Sequence, residues 1–282
     1  MRPSTAGAAR MAMAVLVLIV GPACKLDSLV FGIDAVDAYH LPATAIPDSL
    51  RREVSFPSGS ETLYGYWLRQ GGSAPRLTVV FSHGKGGNLS EDVKWAHAEH
   101  LWQAGFDVLT YDYRGFGRST GTSKDETTLA ADASAALAFA LAQPGVTIGR
   151  VVSYGHSLGS DPAIALAAAN AGIRALVVES GFSNGQAMAQ SADPLGFPVS
   201  WLMREPMLNT TRIATVQMPV LILHGSDDLQ IPPSQGRALY DAAHEPKAIT
   251  IVPGAGHETV EQVMGLPAFR ALIRQFTNAT AP

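Results

Sequence analysis

Six short apolar runs constrain this chain more than any other feature: Arg76–Ser82 (RLTVVFS), Phe106–Tyr111 (FDVLTY), Arg150–Tyr154 (RVVSY), Ala175–Glu179 (ALVVE), Pro219–Leu223 (PVLIL) and Ala248–Val252 (AITIV). They are aliphatic and β-branched without strict alternation, the pattern of strands covered on both faces. Between them lie segments of helical length and pattern: Glu91–Gln103, the Ala-rich Glu126–Gln143, Leu158–Asn170, Pro233–His244 and Glu258–Phe276. Strands alternating with helices predict an α/β fold with a mostly parallel central sheet and helices on both faces. Thr62–Arg69 (TLYGYWLR) alternates in period two and predicts a half-buried strand. Gly181–Gln217, rich in Met, Pro and aromatic residues, is irregular and sits between two strands.

Composition removes whole classes. Of 282 residues, 47% are hydrophobic and 16% charged, too apolar and too weakly charged for a disordered chain. A formal net charge of −4 argues against a nucleic-acid partner. Cys24 is the one cysteine, so an internal disulfide framework and a Cys-rich zinc site are both excluded.

The N-terminus reads as an address. Arg2 and Arg10 precede the apolar run Met11–Val20, which ends in Gly21-Pro22-Ala23-Cys24. About ten apolar residues are too few to span a bilayer but suit a signal peptide. Cys24 falls where bacterial lipoprotein signals place theirs, and the resemblance implies cleavage before Cys24 and lipid on its thiol. Gly21 departs from the aliphatic residue usual in such signals, and Lys25 resembles signals for outer-membrane sorting. The expectation is a signal peptide over 1–24, a tether over 25–50 and a catalytic domain over 51–282, anchored in the cell envelope. Secretion without lipid and an uncleaved anchor are the alternatives.

The chemistry centres on Gly155-His156-Ser157-Leu158-Gly159, a G-x-S-x-G at a strand-to-helix junction. The flanking glycines permit the sharp turn, which holds Ser157 out at the carboxyl end of the sheet. A serine hydroxyl needs a base to act as a nucleophile at neutral pH. His257, in the small-residue loop after the last strand, is the candidate. The base needs an acid to set its tautomer. Asp227 and Asp228, after the strand ending at Leu223, both qualify on position. The glycine-rich Ser82-His83-Gly84-Lys85-Gly86-Gly87-Asn88 can aim backbone N–H groups at an oxyanion, Lys85 N–H being one donor and Leu158 N–H the other. His156 is expected to point into packing. His40, His97, His100 and His244 are expected to be surface or capping residues.

These residues resemble an α/β-hydrolase with little or no cap domain, the serine-dependent group that includes depalmitoylase-like enzymes and many bacterial lipoproteins. The resemblance spans about residues 50–276 and rests on four motifs. They are His83-Gly84 with Gly86-Gly87-Asn88, Asp112-Tyr113-Arg114-Gly115-Phe116-Gly117-Arg118-Ser119, the serine turn, and His224-Gly225-x-x-Asp228-x-x-Ile231-Pro232 with Gly256-His257. It implies that Asp228, three residues after His-Gly, is the acid, and that Arg114 belongs to a structural turn. Lys85, where Asn is common, and Asp161, where a small residue is usual, depart from the pattern. The implied activity is hydrolysis of small-molecule carboxylic esters or thioesters through an acyl-enzyme. The alternatives are a serine peptidase or amidase on the same fold and a catalytically silent surface protein. A dehalogenase or epoxide hydrolase would need Asp at position 157. No cofactor is expected, and no metal: the one histidine pair near ligand spacing, His97 and His100, reads as surface. A shallow acyl pocket is expected from Gly181–Gln217, walled by Phe182, Met188, Phe197, Trp201 and Met203.

Overall fold

The computed structural model describes residues 34–72, 76–191 and 206–279. Its strands are β1 (Asp34–Ala35), β2 (Arg51–Ser58), β3 (Glu61–Leu68), β4 (Thr78–Ser82), β5 (Asp107–Tyr111), β6 (Phe116–Gly117), β7 (Val151–His156), β8 (Ala175–Glu179), β9 (Val220–Gly225) and β10 (Lys247–Val252). Its α-helices are α1 (Asp92–Gln103), α2 (Glu126–Leu141), α3 (Ser160–Ala169), α4 (Gly185–Ser191), α5 (Asn209–Ile213), α6 (Pro233–Ala242), α7 (Val260–Met264) and α8 (Leu266–Ala279).

The main sheet has eight strands in the order β10-β9-β8-β7-β4-β5-β3-β2. The six apolar runs form its parallel part, from β10 to β5, and β3 and β2 add an antiparallel edge. Side chains alternate across each strand, so consecutive apolar residues feed opposite faces. Val80, Leu109, Leu176, Val178 and Ile222 pack on one face with α2 and α3 through Leu129, Ala133 and Ile164. Val79, Val108, Val177, Leu221 and Leu223 pack on the other with α1 and α8 through Trp95, Leu101, Phe269 and Ile273. Each such side chain, fully buried, contributes roughly 1.5–3 kcal/mol, which is why continuous apolar runs become two-sided strands.

Two expectations need correction. Residues 34–50 are not a free tether. β1 pairs in parallel with β6, Ile46 is 2% exposed, and Thr44 Oγ1 donates to Glu99 Oε2 on α1. The expected last helix, Glu258–Phe276, is two helices broken at Gly265, whose φ of +86° is natural only for glycine. Among the described residues no helix is long and apolar enough to cross a membrane. Met11–Val20 and Cys24 lie outside the described residues.

Candidate active site

Four strand ends build the site. β7 runs into Ser157, which opens a single 3-10 turn, Ser157–Gly159, ahead of α3. Ser157 sits at φ +53°, a left-handed conformation that an L residue holds only when its surroundings enforce it. Both flanking glycines are required by contact. A Cβ on Gly155 would lie 2.3 Å from the Gly159 carbonyl oxygen, and one on Gly159 would lie 2.0 Å from that of Ser82.

β10 leads to the loop that carries His257, and β9 to the turn that carries Asp228. His257 Nε2 is 2.8 Å from Ser157 Oγ, and His257 Nδ1 is 2.7 Å from Asp228 Oδ2. All three are buried, with Ser157 the most open at 8%. Asp228 Oδ1 accepts from the backbone N–H groups of Gln230 and Ile231 at 2.9 and 2.8 Å. His224 Nε2 stands 3.2 Å from Asp228 Oδ2. Burial alone would raise the Asp228 carboxyl. The hydrogen bonds from His224 and His257, the charge of His257 and the Ile231 N–H outweigh it and hold the group well below the carboxylate range. Asp227 is exposed and its carboxylate accepts from Ser226 Oγ. The His257 carbonyl accepts from Ser180 Oγ at 3.0 Å and lies 3.3 Å from His156 Nε2.

The glycine-rich loop after β4 is braced from below. His83 Nε2 lies 3.0 Å from Asp112 Oδ1, Tyr113 donates its hydroxyl proton to the His83 carbonyl at 2.7 Å, and Tyr39 donates to Asp112 Oδ2 at 2.7 Å. The segment read as a tether therefore reaches the underside of this loop. Lys85 is exposed at the loop's tip, and desolvation lowers its ammonium pKa; Leu158 is buried. Arg114 is structural: its guanidinium pairs with Asp132 at 2.6 Å and reaches Ser58. Asp161 pairs with Arg212 of α5 at 2.7 Å, so it ties that helix to α3. Phe182 is 0% exposed and belongs to the core rather than to a pocket wall; Met188 packs against the same core. Phe197, Trp201 and Met203 lie outside the described residues.

A cleft of about 300 Å³ runs beside the glycine-rich loop, lined by Gly84, Lys85, Lys94, His97, His156 and Glu258 among others. Here the surface reading of two histidines fails. His97 is 3% exposed and bonds Glu261 through Nδ1 at 3.0 Å, and His100 Nδ1 meets the other oxygen of Glu261. His156 is buried as expected; burial and the neighbouring His97 push it down to about 3, so it stays neutral. His97, His156 and Glu179 bring ligand-type atoms within 4.8 Å of one another, as do His156, His257 and Glu258. The sequence carried one signal for this group: charged residues, Glu179 at the end of a strand and Glu258 directly after His257.

Residues 73–212 match the family described as serine aminopeptidase, S33. An uncharacterized protein of Mycobacterium tuberculosis is 35% identical over 211 residues, covering 75% of this chain and 72% of that protein. The chain is an α/β-hydrolase. The hydrolase also resembles an alpha/beta hydrolase domain-containing protein, aho-3, of Caenorhabditis elegans, 32% identical over 66% of this chain and 53% of that one. Among solved structures, the Pyrococcus furiosus esterase Pf2001 shares the hydrolase's fold at a TM-score of 0.70 and 17% identity, covering 88% of this chain and 99% of that one.

Proposed function

We propose that this α/β-hydrolase cleaves carboxylic esters or thioesters of small molecules through a Ser157 acyl-enzyme. The observation that carries this reading is the unbroken chain Asp228–His257–Ser157, with steps of 2.7 and 2.8 Å. Ser157 Oγ attacks the acyl carbon as His257 Nε2 takes its proton. Asp228 keeps the Nδ1 proton in place and stabilises the imidazolium. The backbone N–H groups of Lys85 and Leu158 receive the oxyanion. His257 then protonates the leaving alcohol or thiol, and water attacks the acyl-serine by the same route. The solved neighbour named above is an esterase, which agrees with this substrate class. The matched family's description favours a second reading, aminoacyl amides.

The test is a panel of p-nitrophenyl esters, acyl thioesters and aminoacyl amides with the purified protein. Esters or thioesters should show the highest kcat/KM. Amides turned over faster than every ester would replace this reading with the peptidase one. The envelope anchor is a separate proposal, supported by the apolar run that ends at the sole cysteine. Cys24→Ala should release the protein from membranes, and a processed variant that stays membrane-bound would refute lipid on Cys24.

A further inference from the structure

β7 and β8 lie side by side in parallel, with His156 opposite Glu179. Ser157 and Ser180 are the next residues on the two strands, and both leave the sheet in the left-handed region, at φ +53° and +50°. Glycine takes that conformation without strain, whereas a side chain holds it at a cost that proteins concentrate at functional sites. For Ser157 the cost places the nucleophile. Ser180 has no part in the proposed chemistry, yet it keeps a side chain where glycine would be easier.

Ser180 is 0% exposed, and its hydroxyl donates to the His257 carbonyl at 3.0 Å. Its backbone N–H already donates to the Leu223 carbonyl at 2.9 Å, so the hydroxyl is what serine adds over glycine here. The second donor near the His257 carbonyl is His156 Nε2, at 3.3 Å, and that nitrogen also faces Glu258 Oε2 at 3.4 Å. His156 is neutral and carries one ring proton, so Nε2 has at most one proton for two acceptors. Among the described residues the Ser180 hydroxyl has the His257 carbonyl alone. His257 itself follows Gly254-Ala255-Gly256, and the two glycines leave that backbone little stiffness of its own. The carbonyl tether therefore fixes the main chain from which the imidazole is hung.

We infer that Ser180 is a positioning residue for the base: its hydroxyl pins the His257 main chain, so that Nε2 stays on Ser157 Oγ while Nδ1 stays on Asp228. The inference rests on the proposed Ser157 acyl-enzyme. In that reaction Nε2 takes the proton of Ser157 Oγ and passes it to the leaving group, and both transfers need hydrogen-bond reach. Asp228 grips the ring only at Nδ1, 2.7 Å away, and does not hold the backbone behind it. A base displaced by about 1 Å costs roughly 10²-fold in rate. Ser180 acts through His257 and not on the substrate, so its loss falls on kcat rather than on KM.

The test is p-nitrophenyl ester hydrolysis by purified Ser180→Ala and Ser180→Gly, with thermal unfolding of each. Both should lose roughly 10- to 100-fold in kcat, with KM within about twofold of the wild type. Ser180→Gly relieves the left-handed strain, so it should unfold at a higher Tm than Ser180→Ala and yet be no more active. A His257→Ala protein retains only the residual rate of the oxyanion donors and binding, and there Ser180→Ala should change the rate by less than about twofold. Should Ser180→Ala fail to fold, Ser180→Gly carries the same comparisons. A folded variant with wild-type kcat, or an equal further loss in the His257→Ala background, overturns the inference and leaves the proposed function standing. A wild type that neither hydrolyses esters nor takes a fluorophosphonate on Ser157 removes the proposed function, and this inference with it.

Discussion

Asp228 Oδ2 lies 2.7 Å from His257 Nδ1, whereas Asp227, adjacent in sequence, is exposed and bonds Ser226. The strand end offered both carboxylates, and the turn sends them to opposite environments. Asp228→Asn should therefore lower kcat by roughly 10³–10⁴, because an amide favours the wrong imidazole tautomer. Asp227→Asn should stay within a few fold. Steady-state hydrolysis of a p-nitrophenyl ester separates the two, and a crippled Asp227 variant would contradict the geometry.

The same carboxylate gives a pH signature in stability. Its pKa is lower in the folded state than in the unfolded chain, so its contribution is complete above the unfolded value of about 3.9 and is lost as pH falls through the folded one. The stability difference between wild type and Asp228→Asn, from urea denaturation, should not fall between pH 8 and about 5. It should shrink below about pH 4. A loss beginning near neutrality would mean that the carboxyl is not held ionised.

Arg114 tests the structural reading of the Asp112–Ser119 segment. Its guanidinium meets Asp132, which is 0% exposed, through both carboxylate oxygens. Arg114→Ala should cost about 3 kcal/mol or more, since it strands a buried charge. Activity per folded molecule should change by only a few fold. An active-site role would reverse that pattern, with intact stability and lost turnover.

The parts of this molecule that were legible in sequence are those built from local pattern. β4, β5 and β7 to β10 announce themselves because burial on both faces demands unbroken apolar runs. The serine turn does so because Gly155 and Gly159 leave no room for a Cβ. β2 escaped, since Arg51–Ser58 is a charged edge strand that turns only Val54, Phe56 and Ser58 inward. Residues 34–50 were misread because they are held by isolated contacts, Tyr39 to Asp112 and Thr44 to Glu99, that leave no periodic trace. His97 was misread as surface for a related reason. Its partners Glu179, Glu258 and Glu261 arrive from β8, the His257 loop and α7, and no spacing on α1 reveals them.

The proposed reaction requires Ser157 as the nucleophile. The direct measurement is fluorophosphonate labelling followed by peptide mass spectrometry, run alongside ester hydrolysis on wild type and Ser157→Ala. The wild type should carry one adduct, on the peptide containing Ser157, and the variant should lose both adduct and turnover by several orders of magnitude while keeping its thermal unfolding profile. An adduct on another serine, or a folded Ser157→Ala protein with full esterase activity, would contradict it.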